Sequence, residues 1–127
     1  MSHWSTAKTN ITDVNALKEA CSMLKLNLVE NSYARGWNGQ KLKADYVIKL
    51  DGRFDVALVK DGDAYSIMAD MYDGSVEKVI GKDGNKLKQA YSAAATIQIA
   101  RQKGYPVEMQ TFENGDIKLI LKVGAGG

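Results

Sequence analysis

The sequence predicts an α+β protein: a single mainly antiparallel sheet built from hairpins, with two helices packed on one of its faces. Three observations lead there. Short runs that alternate apolar and polar residues are divided by Gly-containing turns, two segments carry apolar residues at helical spacing, and those helical segments stand apart from groups of consecutive strands. The chain has 127 residues, 45% hydrophobic and 25% charged, with one proline. That is enough for one core and too little for two ordinary domains, so residues 1–123 are expected as one domain and the closing "GAGG", 124–127, as a flexible tail.

The elements follow in order. "HWSTAKTNI" permits a first strand, and Asp13 can then cap a helix whose apolar stripe is Val14, Leu17, Cys21 and Leu24. "LNLVENSYAR", "DYVIKL" and "FDVALV" read as strands. Within the second of these, Tyr46, Ile48 and Leu50 face one side while Val47 and Lys49 face the other, and Asp51-Gly52 is expected to supply the positive φ of a tight hairpin. "KDGD" is a further turn before "AYSIMADMY". A longer helix is expected in "NKLKQAYSAAATIQIARQKG", with Leu87, Ala90, Tyr91, Ala94 and Ile97 on its stripe, Asp83 or Asn85 capping its start, and Gly104 with Pro106 ending it. A final hairpin joins "VEMQTFE" through Asn114-Gly115 to "DIKLILKV", whose Ile117, Leu119, Leu121 and Val123 share one face and are expected to help close the core.

Composition narrows the function classes. No apolar run approaches the roughly 20 residues of a membrane span, and "MSHWSTAKTN" has neither the basic nor the apolar part of a signal peptide. No membrane association is expected, and a cytoplasmic protein is. The single cysteine, Cys21, falls on a core face and has no cysteine partner, which suits a reducing compartment. With His3 as the one imidazole, neither a zinc centre nor any other metal or cofactor is expected. Charge is segregated along the chain. Residues 32–53 carry Arg35, Lys41, Lys43, Lys49 and Arg53 against Asp45 and Asp51, a net of +3, whereas residues 55–77 carry Lys60 against six carboxylates, a net of −5. Cross-strand ion pairs account for part of this, and a dipolar surface that orients a partner is the sharper reading.

Tested as chemistry, the motifs are thin. "GKDGNK" at a helix start lacks the spacing of a Walker loop, and "DGDAY" and "DMYDGS" lack the ligand order of a calcium loop. His3 could meet Asp70 across strands, but no nucleophile, base and orienting group can be assembled, so no catalytic residue is assigned. "RGWNGQKLK" reads first as a structured connection between strands and second as a binding edge.

The segments "MSHWSTAKTNI", "ARGWNGQKLKADYVIKL", "DGDAYSIMADMY", "QAYSAAATIQIARQKGYPV" and "ENGDIKLIL" together resemble the hypothetical chloroplast reading frame thirty-five family, over nearly the whole chain and in the same order. The resemblance implies a small protein of the kind found in algal plastids, cyanobacteria, other bacteria and phages, located in cytoplasm, plastid stroma or host cytoplasm according to source. It implies no assigned activity, and an AAA-type ATPase as an associated partner. The positions that carry it into a candidate surface are His3, Arg35, Gly36, Gly39, Lys41, Asp45, Asp70 and Tyr91. The chain departs from the family after Ala69-Asp70, where Met71 and Tyr72 stand in place of two aromatics. Three functions fit these features: a non-catalytic accessory module that binds a protein, a weak nucleic-acid binder using Arg35, Trp37, Lys41, Lys43 and Arg53, and a small-ligand sensor or enzyme with a pocket near His3, Asp70 and Tyr72. A net charge of only +2 counts against the second.

Overall fold

The computed structural model describes residues 4–112 and 116–121. Five strands, β1 (Trp4–Ala7), β2 (Asn27–Arg35), β3 (Lys41–Lys49), β4 (Val56–Asp61) and β5 (Ala64–Asp70), form one sheet in the spatial order β1-β5-β4-β3-β2. Every pairing in it is antiparallel. Two long helices, α1 (Val14–Met23) and α3 (Asn85–Gln102), and a short one, α2 (Ser75–Ile80), complete the layer above it. The fold class expected from the sequence is therefore present.

In β3 the period-2 pattern sorts the side chains as anticipated, with Tyr46, Ile48 and Leu50 packed on one cluster and Val47 on the other. Ile48, Val56, Leu58, Tyr65, Ile67 and Ala69 turn toward the helices. There they meet Leu17, Ala20 and Cys21 of α1, Val76 and Ile80 of α2, and Leu87, Ala90, Tyr91 and Ala94 of α3. Asp13 caps α1 through its carboxylate, which accepts from the backbone N–H groups of Asn15 at 2.8 Å and Ala16 at 3.4 Å. Tyr91 joins the two long helices, because its hydroxyl oxygen accepts from the N–H of Thr12 at 3.1 Å and of Asp13 at 3.0 Å.

The other face of the sheet is also covered, which the sequence reading did not anticipate. The β2–β3 hairpin bends where Asn31 adopts φ 46°, in the left-handed region that asparagine tolerates better than most residues. Its far half folds back over the sheet. Ala34 and Ala44 are buried there with Val47 and Ala57, and Trp4, Leu42, Val59 and Met68 close the cluster. Two alanines at the contact let the backbone layers approach closely.

Other local expectations change. The β3–β4 connection is a loop rather than a tight hairpin, and Gly52 is absent from the residues with positive φ; the two-residue hairpin is instead β4–β5, where Gly62 takes φ 69°. Neither Asp83 nor Asn85 caps α3 with its side chain. The turn is made by Gly84 at φ 76°, where a Cβ would lie 2.6 Å from Ile67 Cδ1, so both the backbone and the close packing favour glycine.

The last hairpin, β6 (Val107–Thr111) with β7 (Ile117–Leu121), forms a separate two-stranded sheet against α3 and does not extend the main one. Ile117 packs against the main cluster, but Leu119 is only half-buried and Met109 and Phe112 are 40% and 50% exposed. The expectation that this hairpin buries a full apolar row is thus corrected: a two-stranded ribbon lying on one helix covers that helix without being covered itself. Asn114-Gly115, Val123 and the "GAGG" tail lie outside the described residues, as does the side chain of Leu121. Stability should follow this difference. Leu58→Ala, at a fully buried site, is expected to cost about 2–5 kcal/mol, and Leu119→Ala about 1 kcal/mol. Urea denaturation of both variants checks it, and equal losses would show that the hairpin belongs to the core.

Candidate functional site

The bend in β2–β3 carries the tip of that hairpin, Gly36 to Gln40, across the end of the sheet where β4 begins and β5 ends. A turn of 3₁₀ helix, Trp37–Gly39, shapes the tip, with Asn38 at φ 58° and a 2.7 Å bond from Gly36 N–H to the carbonyl of Gln40. Gly36 is required where it stands, because a Cβ there would fall 2.4 Å from Trp4 Cζ2. The indole of Trp4 lies against the tip backbone and donates from Nε1 to Gln40 Oε1 at 3.2 Å.

Two fully buried carboxylates fasten the tip. Asp55 Oδ2 accepts from Arg35 N at 2.9 Å and Arg35 Nε at 2.8 Å, while Oδ1 accepts from Arg35 Nη2 at 2.8 Å and Leu50 N at 3.0 Å. Lys49 Nζ stands 3.9 Å away. In return Asp55 N–H donates to the carbonyl of Arg35. Asp70 Oδ2 accepts from Trp37 N at 2.9 Å and its Oδ1 from Tyr72 N at 2.9 Å, so it ties the tip to the segment after β5. Burial pushes the Asp55 carboxyl upward, but the hydrogen bonds from Arg35 and Leu50 and the guanidinium charge outweigh it and hold the group below the ordinary carboxylate range. Arg35 is raised correspondingly by its bond to Asp55.

Around this anchor several sequence-identified residues come together. Arg35, Lys41 and Arg53 line one cleft of about 350 Å³, with Phe54 and the tip backbone as its other walls. The Arg53 guanidinium lies over the Phe54 ring at 5.2 Å and pairs with Asp73 at 3.2 Å. On the adjoining side Trp37 and Tyr72 meet edge to face, their ring centres 6.0 Å apart, and Tyr72 is 58% exposed. The remaining candidates are elsewhere. Lys43 is exposed on β3 opposite Tyr33, two residues beyond Lys41. Asp45 accepts from Lys60 N at 3.0 Å, away from the tip. Tyr91 serves the helix layer, as described above. His3, which could meet Asp70 across strands, lies outside the described residues.

Asp55, Phe54 and Trp4 were not singled out by the sequence reading. The available signal was Asp55 itself, a carboxylate at the head of the apolar run "FDVALV", which needs a cation if it is to be buried. Cys21 is buried, its thiol pushed up to about 11 by that burial, which keeps it protonated at neutral pH. Among the described residues no helix is long and apolar enough to cross a membrane.

Residues 20–120 match the family described as "Protein of unknown function (DUF1257)". The chain is 32% identical over 128 residues to "Uncharacterized protein ycf35" of Guillardia theta, covering 96% of this chain and 97% of that protein. It is 27% identical over 124 residues to the proteins of the same name from Cyanophora paradoxa and from Pyropia yezoensis, with the same coverage. No solved structure matches it.

The anchor predicts both a mutational and a pH effect. Arg35→Ala leaves the Asp55 charge buried without its main partner and should cost about 3–5 kcal/mol, toward the lower figure because the Arg35 side chain is 44% exposed and water can replace part of it. Since the folded-state pKa of Asp55 is depressed, its contribution is complete above the unfolded value of about 4 and is lost as pH falls through the lower folded value. Thermal melts from pH 7 down to pH 2 should therefore show a smaller acid-dependent loss in Asp55→Asn than in wild type. Parallel pH curves would show that Asp55 is not a stabilising carboxylate.

Proposed function

Since the chain belongs to the DUF1257 family of proteins of unknown function, its role has to be read from its surface, and we propose that it is a non-catalytic accessory protein that docks a protein partner through the β2–β3 hairpin tip. One observation carries this reading. The tip is fastened by buried carboxylates while Lys41, Arg53 and Tyr72 on its rim stay exposed. A surface held in place before binding loses little conformational entropy on binding, and arginine, tryptophan and tyrosine are the residue types that most often dominate protein interfaces. The same anchoring counts against the ligand sensor or enzyme reading, because Asp70, its proposed polar group, already accepts from Trp37 and Tyr72 N–H groups.

A nucleic-acid edge is the second reading, favoured by Lys41 in one cleft with Arg53 and by Lys43 exposed two residues further along β3. Against it, Trp37 is half-buried with Tyr72 at its ring, which leaves less of the indole for stacking on a base. Plastid stroma, or the cytoplasm of a bacterial or phage-infected cell, is the compartment this reading places the protein in. An AAA-type ATPase, the neighbour that the family resemblance implies, is the first partner to test.

The experiment is affinity capture from an extract of the source organism, using wild type, a Lys41→Glu, Arg53→Glu double variant, and Lys88→Glu on α3 as a surface control. One defined protein is expected with wild type and with the control, and none with the double variant, whose fold is verified by circular dichroism. A partner retained equally by all three would move the interface away from the tip.

A further inference from the structure

Resting on the docking role just proposed, we infer that the cleft beside the tip recognises the carboxylates of an acidic, extended peptide segment of the partner. The donors that face the cleft are built for an anion. Arg35 is held by Asp55 through Nε and Nη2, with Nη2 also donating to the Leu50 carbonyl, so its guanidinium plane is set and Nη1 has no partner among the described residues. Lys41 on another wall has no ion-pair partner among the described residues. Arg53, its side chain 66% exposed, is oriented by the Phe54 ring and uses Nη2 for Asp73. The Gln40 amide adds a neutral donor. Its Oε1 accepts from Trp4 Nε1, which leaves the NH₂ end for the cleft.

Among the described residues no carboxylate lines this cleft, although acidic residues are dense in the 55–77 segment of the sequence. Gly36 and Gly39 form part of its wall, and at Gly39 even a Cβ would meet nothing, so an extended backbone can come close. Carboxylates suit the planar, forked arginine donors. A long polyanion such as single-stranded nucleic acid would extend beyond the cleft past Asp73, which stands beside it on Arg53, whereas a short acidic segment need not.

The chain carries its own reporter, since of its two tryptophans Trp37 is part of the tip and Trp4, in β1, lies against it. The experiment follows tryptophan fluorescence while a hexaglutamate peptide is added to the full chain at low and at physiological salt. Hexaglutamine, inorganic phosphate and a single-stranded RNA of random sequence are the parallel probes. Saturable binding of hexaglutamate that weakens with salt is expected, with no response to hexaglutamine and at least tenfold weaker binding by a Lys41→Gln, Arg53→Gln variant, a loss of about 1.4 kcal/mol. The inference is overturned if hexaglutamate gives no saturable change, if the double variant binds it equally, if phosphate binds as tightly as the peptide, or if the RNA binds more tightly than the peptide. Failure with hexaglutamate while partner capture still depends on Lys41 and Arg53 would reject the acidic ligand and leave the docking surface standing. Hexaglutamate binding together with capture that ignores the tip would reject the docking role instead.

Discussion

A carboxylate without water around it must find donors, and in this protein Asp55 finds most of them on one residue, Arg35, at the far end of a hairpin that starts beside it. The folded-back half of that hairpin packs mainly through alanines, which contribute little area each. Packing alone would therefore let it slide. The polar anchor does not, because displacing Arg35 strands a buried charge, a far larger penalty than losing an alanine contact. The bend at Asn31, the cover over the second face of the sheet, the position of the tip and the cleft at its side all follow from that one requirement.

The segregated charges of the sequence acquire two roles in the fold. Part of the opposition between the basic and acidic segments is consumed internally, in the pairs of Arg35 with Asp55 and of Arg53 with Asp73. What is left points outward from opposite ends of the sheet. Lys41 stands near the tip, while Asp61 and Asp63 are exposed at the β4–β5 turn, at the other end of the same strands. Surface pairs of this kind add little to stability in water, but a separation of charge along the long axis of a sheet orients an approaching charged partner.

The group most often sought in a small protein of unknown role, a reactive side chain in a pocket, is hard to reconcile with how the acidic residues at the tip are used. Asp55 and Asp70 both have their oxygens turned toward backbone or guanidinium N–H groups. A general base needs a lone pair aimed at a substrate, whereas these lone pairs hold the chain together. The cations on the rim, Lys41, Arg35 and Arg53, are the groups with donor capacity to spare.

By itself the sequence determined what is local or periodic. Alternation placed Tyr46, Ile48 and Leu50 on one face and Val47 on the other, a 3.6-residue repeat placed Leu17 and Cys21 on the inner stripe of α1, and Asp13 before an apolar stripe announced the cap. Even the convergence of Arg35, Lys41 and Arg53 was foreshadowed by their density in one segment. Tertiary structure alone decided the rest. That Arg35 belongs to Asp55, 20 residues on, that Trp4 covers Gly36, and that Tyr91 holds the start of α1 are contacts between segments far apart in the chain, set by the fold-back of one hairpin and the docking of one helix. The final hairpin lies on α3 instead of joining the sheet for the same reason: its alternating pattern specifies a strand and a face, and carries no information about which surface that face will meet.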